Sequence, residues 1–445
     1  MISQHKRTIG IEVLRLALPL VGQSILETLI VLVDRIMLGH YSTAALASMR
    51  ISGSSFWCLY SILSAVAVGT IALVGRAVGS GNKSLAGATA RSSLLFTLVI
   101  GIAASVLCLL NLSGIIGLFP ISDPSVIQGA DEYLQIILAA LPLMLLSIVA
   151  AAILQAAGDT RTPFFISLFA NAINVVIDYI LIFGHYGAPE LGVRGAAIGS
   201  VAAMAINTTV LILILSRDQG AISWRGYGGE WDALGRVLRV SLPALGDRLF
   251  RSLGYLGFTF MIASLGSVAM AAHEAILGVE EICYLAAEGF GTAAAANVAQ
   301  KLGAKQLKSA TWSAVAATIF AVILQGIGSL AFILIPSQLL SILSPDPQII
   351  ATGIPCLYIA AIAQPFMAIS IVLEQALRGA GATKIAFFVS LAGWLIVRLI
   401  ATYTFVMGFN LGLVGVWLGS TCDWFVRAVV LLIVFKQGKW RETIV

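Results

Sequence analysis

Two carboxylates and an amide fall where an apolar chain tolerates them least. Asp34 interrupts the run Val31-Leu32-Val33-Asp34-Arg35-Ile36-Met37. Asp178 interrupts Val175-Val176-Ile177-Asp178-Tyr179-Ile180, with Asn174 four residues earlier. That spacing puts Asn174 and Asp178 on one face of a helix. A carboxyl group in low-dielectric surroundings resists ionisation, and a second one beside it strengthens the effect. Such a pair can take up and release a proton near neutral pH, or hold a small cation with help from the amide. The structural alternative for Asp34 is an interfacial anchor beside Arg35; for Asp178 it is a polar group satisfied by packing.

Other charges read differently. Asp247 and Arg251 stand i, i+4 and can satisfy each other, which favours a structural pair. Glu27, seven residues before Asp34, can line the same cavity. Glu274, Glu280, Glu281 and Glu288 crowd one segment, and Arg398 lacks a partner nearby in sequence, so a structural Glu–Arg network is expected. Glu374 and Asp423 are expected near helix ends, in solvent. Pro19 removes a backbone hydrogen bond fifteen residues before Asp34 and marks a bend, either static or gating. Aromatic residues such as Phe258 can line a cavity for flat organic cations or simply pack. The histidines His40, His185 and His273 are isolated, and the five cysteines lie far apart. No metal, cofactor or nucleophile–base set is predicted, so an enzyme is not expected.

The elements that must carry these groups follow from composition. The chain has 445 residues, 59% hydrophobic and 11% charged, against about 25% charged for a soluble domain. A soluble enzyme, a disordered chain and a nucleic-acid binder are excluded. Apolar blocks long enough to cross about 30 Å of hydrocarbon predict twelve spans, near 10–38, 51–77, 87–112, 131–157, 163–185, 193–216, 235–264, 269–299, 308–335, 349–377, 383–408 and 411–436. The first, preceded by Lys6 and Arg7, runs past signal-peptide length and is expected to stay uncleaved. With twelve spans, eighteen Lys and Arg fall on the side of both termini and only Arg35, Arg50 and Arg194 on the other. That bias predicts a multi-pass plasma-membrane protein with cytoplasmic termini.

The chain repeats itself. Leu14-Arg15 and Leu18-Pro19 with Gly22 recur as Leu238-Arg239 and Leu242-Pro243 with Gly246. Gly158, Thr160 and Phe164-Phe165 recur as Gly381, Thr383 and Phe387-Phe388, and Gly192, Gly195 and Gly199 as Gly412, Gly415 and Gly419. The expected fold is therefore an all-α polytopic membrane protein of two six-helix lobes, related by a pseudo-twofold axis along the membrane normal. Its N-lobe would span residues 1–216, a linker 217–234 and its C-lobe 235–445. Parallel repeats of this kind are a transporter architecture. At constant offset, Phe258 answers Asp34, Val397 answers Asn174 and Ala401 answers Asp178, so the polar set belongs to the first half alone.

The segments Leu18-Pro19, Val33-Asp34-Arg35-Ile36-Met37-Leu38-Gly39-His40, Gln155-Ala156-Ala157-Gly158-Asp159-Thr160 and Leu377-Arg378-Gly379-Ala380-Gly381 resemble the multidrug and toxic compound extrusion (MATE) family over essentially the whole chain. Within it the pattern is similar to the DinF-related branch, and the resemblance implies that Asp34, Asn174 and Asp178 serve in coupling. Sodium-coupled NorM-like members use acidic residues in the C-lobe. The corresponding positions here hold Arg251 and Met367. The resemblance implies a monomer embedded in lipid that exports organic, often cationic and amphipathic molecules by antiport of a proton or, alternatively, sodium. A lipid-linked oligosaccharide flippase is the nearest rival. It needs a more cationic cleft to hold pyrophosphate.

Overall fold

The computed structural model describes residues 2–119, 123–217, 222–224 and 230–443, with side chains from Lys6. Each of the twelve expected spans falls on helix. In chain order these are α1 (Ile2–Tyr41), α2 (Thr43–Leu63), α3 (Val66–Gly79), α4 (Lys83–Leu110), the short α5 (Leu112–Gly117), α6 (Pro124–Ala139), α7 (Leu141–Ala156), α8 (Arg161–Phe183) and α9 (Val193–Ser216). There follow α10 (Glu230–Ala263), α11 (Ser267–Gly303), α12 (Leu307–Leu334), α13 (Pro336–Leu343), α14 (Pro347–Gly379), α15 (Thr383–Leu391), α16 (Leu399–Tyr403) and α17 (Gly412–Gln437). Among the described residues, nine helical stretches are long and apolar enough to cross a membrane, ten if the bent pair α6–α7 counts as one. The helices α10 and α11 have spanning length but carry charged residues along it. Of the expected linker, residues 218–221 and 225–229 lie outside the described residues.

Helix starts are fixed by the residues expected to fix them. Ser42 accepts from Ala45 N at 3.1 Å and Asn82 from Leu85 N at 3.0 Å. Asp123 and Asp346 cap α6 and α14 in the same way in the two halves. Gly158 and Gly381, at φ 92° and 79°, make the repeated turns that only glycine adopts without strain. Large apolar side chains stand exposed at helical spacing along α4 (Leu95, Val99, Ile102, Val106) and α12 (Ile319, Ile323, Ile327, Leu330). Such faces suit lipid, and the chain is a multi-pass membrane protein.

Two compact units emerge, one of residues 1–21 and 239–445, the other of 22–238. The division falls inside α1, two residues past Pro19, and inside α10, four residues before Pro243. In the first unit Ile9, Val13, Ala17 and Leu20 of α1 join a core built with α11, α12 and α14. Glu12 pairs there with Lys301 at 3.0 Å, and Lys6 lies over the Trp312 ring at 3.7 Å. Small residues let α11 and α14 approach closely: a β-carbon on Gly379 would strike the backbone of Ala295. In the second unit Leu38, Tyr133, Ile137, Ile182 and Ala196 form a core around α1, α6, α8 and α9. Here the start of α10 is held by Arg91, which reaches Glu230 at 2.8 Å and the carbonyl of Trp224 at 3.2 Å.

Candidate functional site

The buried stripe of α8 runs Ser167, Ala170, Asn174, Asp178, Ile182, and that of α1 runs through Asp34 and Leu38, while Arg35 and Ile36 point outward. Helical period alone thus turns both carboxylates inward. Asp34 is 7% exposed and Asp178 not at all. Their carboxyl groups lie within hydrogen-bonding reach of each other. Asn174 Nδ2 donates to Asp178 Oδ2 at 2.9 Å. From α6, Tyr133 stands close to both acids and hydrogen-bonds Ser200 of α9. Gly199 supplies the room, since a β-carbon there would overlap Asp178 Oδ1.

Among the described residues no amide or hydroxyl donates to Asp34 Oδ1 or Asp178 Oδ1, and Asn174 Oδ1 is likewise without a partner. Two ionised carboxylates cannot rest against each other in so dry a place. One shared proton, or one small cation, resolves the repulsion. Asp34, Asn174 and Asp178 are therefore brought together as a single site. Tyr133, Gly199 and Ser200 complete it, and sequence reading missed them because they are an aromatic, a glycine and a serine in otherwise ordinary apolar helices.

The remaining candidates stand apart from this site. Glu27 is exposed and accepts from Gln23 at 3.1 Å. Pro19 lies in an unbroken α1. Arg251 joins Asp247 at 2.9 Å and Glu374 at 3.3 Å, and Arg378 joins Asp247 at 2.8 Å and also Glu374. The expected local pair is thus half of a four-membered network between α10 and α14. Glu374 and Asp423, expected in solvent, are 5% and 0% exposed. Glu374 lies near the end of α14 but Asp423 sits in the middle of α17, and both face arginines on neighbouring turns and helices. Phe258 is 3% exposed and packs edge-on against His273, so its ring borders the interior of this lobe's core. Among the described residues no three His, Cys, Asp or Glu stand together as a metal site.

The repeat relation needs one correction. Before the eleventh span's midpoint, Gly22 faces Phe164 and Gly246 faces Phe387; after it, Gly199 faces Asp178 and Gly419 faces Thr402, and Gly195 faces Leu181 as Gly415 faces Phe405. The offset between α8 and its counterpart changes from 223 to 224 in between. The cause is a π-helical stretch, Ala392–Arg398, which accommodates one extra residue. Asn174 is therefore matched by Arg398 rather than Val397, and Asp178 by Thr402 rather than Ala401.

Arg398 is 5% exposed. Its Nε donates to Asp423 Oδ2 at 2.9 Å, while Arg427 holds the same carboxylate through Nε at 2.7 Å and Nη2 at 2.8 Å. The Arg398 guanidinium lies 3.8 Å from the centre of the Trp394 ring, and that of Arg427 lies 4.0 Å from Trp424. Glu280 accepts from Gln364 at 3.1 Å, and Glu288 from Gln375 at 2.8 Å. The expected Glu–Arg network is corrected accordingly: among the described residues Glu280 and Glu288 are held by glutamines, and the acid bonded to Arg398 is Asp423.

Comparison with known proteins gives a consistent picture. The sequence profile of the MatE family matches residues 19–180 and again 243–404. A probable multidrug resistance protein NorM from Thermotoga maritima is 29% identical over 97% of this chain and 93% of its own length. An uncharacterized transporter, YisQ, from Bacillus subtilis is 24% identical over 92% of this chain and 90% of its own. Among solved structures, a MOP superfamily transporter from Pyrococcus furiosus superposes with a TM-score of 0.91 at 20% identity, covering 98% of this chain and 97% of that one. A multidrug resistance MATE family transporter in an outward-facing conformation gives the same score, identity and coverage.

Proposed function

The chain belongs to the MatE family, a family of transporters rather than enzymes, and on that premise we propose that it exports organic, often cationic and amphipathic molecules, driven by protons taken up at Asp34 and Asp178. Support for the cargo comes from the relatives described as multidrug resistance proteins. Support for the ion comes from one observation: two buried carboxyl groups in mutual contact, with Asn174 as the nearest donor.

In this reading the site facing outside takes a proton, the negative charge that favours a cationic cargo is lost, and cargo leaves. Facing inside, the proton departs and the site again prefers a cation. Pro19 weakens α1 fifteen residues before Asp34, so that a change at the acid can be met by bending. The excess of Lys and Arg on the side of both termini supports cytoplasmic termini.

A second reading has its own observation. Asn174 Oδ1 and one oxygen on each acid lack donors, a set that suits a dehydrated sodium ion. Ethidium efflux from proteoliposomes, under a proton gradient and separately under a sodium gradient, decides between them. Proton coupling requires efflux driven by the first alone, lost in Asp34→Asn and Asp178→Asn. Full pH-driven efflux by both variants would refute the assignment.

A further inference from the structure

The C-terminal counterpart of the carboxylate site has the opposite chemistry. Phe258 stands where Asp34 does, and Arg398 and Thr402 take the places of Asn174 and Asp178. His273 packs against the same Phe258 ring, at 5.7 Å between ring centres, with the Arg398 guanidinium 5.5 Å from that ring. Trp417 touches His273 from α17, at 5.6 Å between ring centres. His273, Thr402 and Trp417 are 2%, 0% and 3% exposed.

What these groups share is a lack of partners. Among the described residues, both ring nitrogens of His273, the hydroxyl of Thr402, Nε1 of Trp417 and Nε1 of Trp394 receive or give no directed hydrogen bond, while Nη2 of Arg398 is held by Asp423 at 2.9 Å. Buried polar groups are normally satisfied, and a cluster of exceptions asks for a missing ligand. Nearly all of them are donors. Among the described residues Asp423 is the one carboxylate within ion-pair distance of either Arg398 or Arg427. Glu280, held by Gln364, acts on Arg398 only from further away. Glu374 likewise acts on Arg427 from further away, so the group nearest the unused N–H and O–H groups is the Arg398 guanidinium, bonded to a carboxylate it shares with Arg427.

We infer that the C-terminal lobe holds a small monovalent anion of halide size, bound between Arg398 and His273 near Phe258. Arginine supplies the charge, and the imidazole, indole and hydroxyl groups supply the first shell. The ligand must be small because the donors are almost fully enclosed. This site is independent of the proton or sodium reading of the N-terminal one, since no residue serves both.

The test uses the full-length protein purified in detergent, with thermal unfolding followed in chloride, in bromide and in gluconate at equal ionic strength. Chloride and bromide should raise the unfolding temperature saturably above the gluconate value. Arg398→Gln leaves Asp423 paired with Arg427 and should abolish that rise. His273→Phe keeps the packing and should weaken it, whereas Asp34→Asn should keep it whole. Should Arg398→Gln fail to fold, crystals grown in bromide provide a second reading, with an anomalous peak expected beside Arg398 in wild type and a weaker one in His273→Phe; no peak in wild type would overturn the proposal. Equal unfolding temperatures in halide and gluconate, or a halide effect retained by both C-lobe variants, would overturn the proposal.

Discussion

The two halves of this transporter solve the same packing problem with inverted electrostatics. In the first, α1 and α8 bring Asp34, Asn174 and Asp178 together with no basic residue bonded to them. In the second, the matching positions hold Phe258, Arg398 and Thr402, and the acid that appears, Asp423, comes from α17 and is clasped by two arginines. On the proposed reading, the first arrangement takes up one positive charge and alternates between two states. The second is locked by fixed guanidinium groups that do not release protons. A duplicated scaffold thus has one half with two acids in contact and one half with its acid fixed between arginines.

This contrast can be broken most forcefully at the acids. Asp178→Asn and Asp34→Asn should each lower pH-driven efflux about tenfold or more, the scale of a coupling free energy of about 1–3 kcal/mol, with the unfolding temperature little changed. Asp423→Asn should do the reverse. Removing the one carboxylate between Arg398 and Arg427 leaves buried charges uncompensated, at a cost of about 3–5 kcal/mol, visible as a large drop in unfolding temperature and poor yield.

The paired glycines sharpen the comparison further. A β-carbon at Gly199 presses on Asp178 and one at Gly419 presses on Thr402, so Gly199→Ala and Gly419→Ala should destabilise by a similar amount, about 1–3 kcal/mol. Only the first should also impair ion-driven efflux. Equal transport by the two variants would show that Asp178 does not need its present geometry. Smallest of all, Trp312→Ala removes the ring under Lys6 and should cost about 0.5–1 kcal/mol with normal efflux.

Much of this was legible in the residues because the membrane forces it to be. Helix is the only way to satisfy backbone groups in hydrocarbon, so apolar block length located the spans, and recurring Pro and Gly positions revealed the repeat. The inward turn of Asp34 and Asp178 followed from helical period and the cost of charge in lipid. What stayed hidden was non-local. Glu374 and Asp423 looked solvated because neither Arg251, on another helix from Glu374, nor Arg398, on another helix from Asp423, stands near its acid in sequence. Tyr133 and Gly199 matter only through what α8 places in front of them. The division inside α1 and α10 could not be read from hydropathy, which is continuous across Pro19 and Pro243.

One inserted residue deserves its due. By widening a turn at Ala392–Arg398, the helix absorbs the extra residue, so that Thr402 and Phe405 still meet Gly419 and Gly415 as Asp178 and Leu181 meet Gly199 and Gly195. A count at constant offset sets valine against Asn174, whereas the packing beyond the widened turn sets arginine there. Ancestry written into such a helix is best recovered by superposing neighbours, not by counting along the thread.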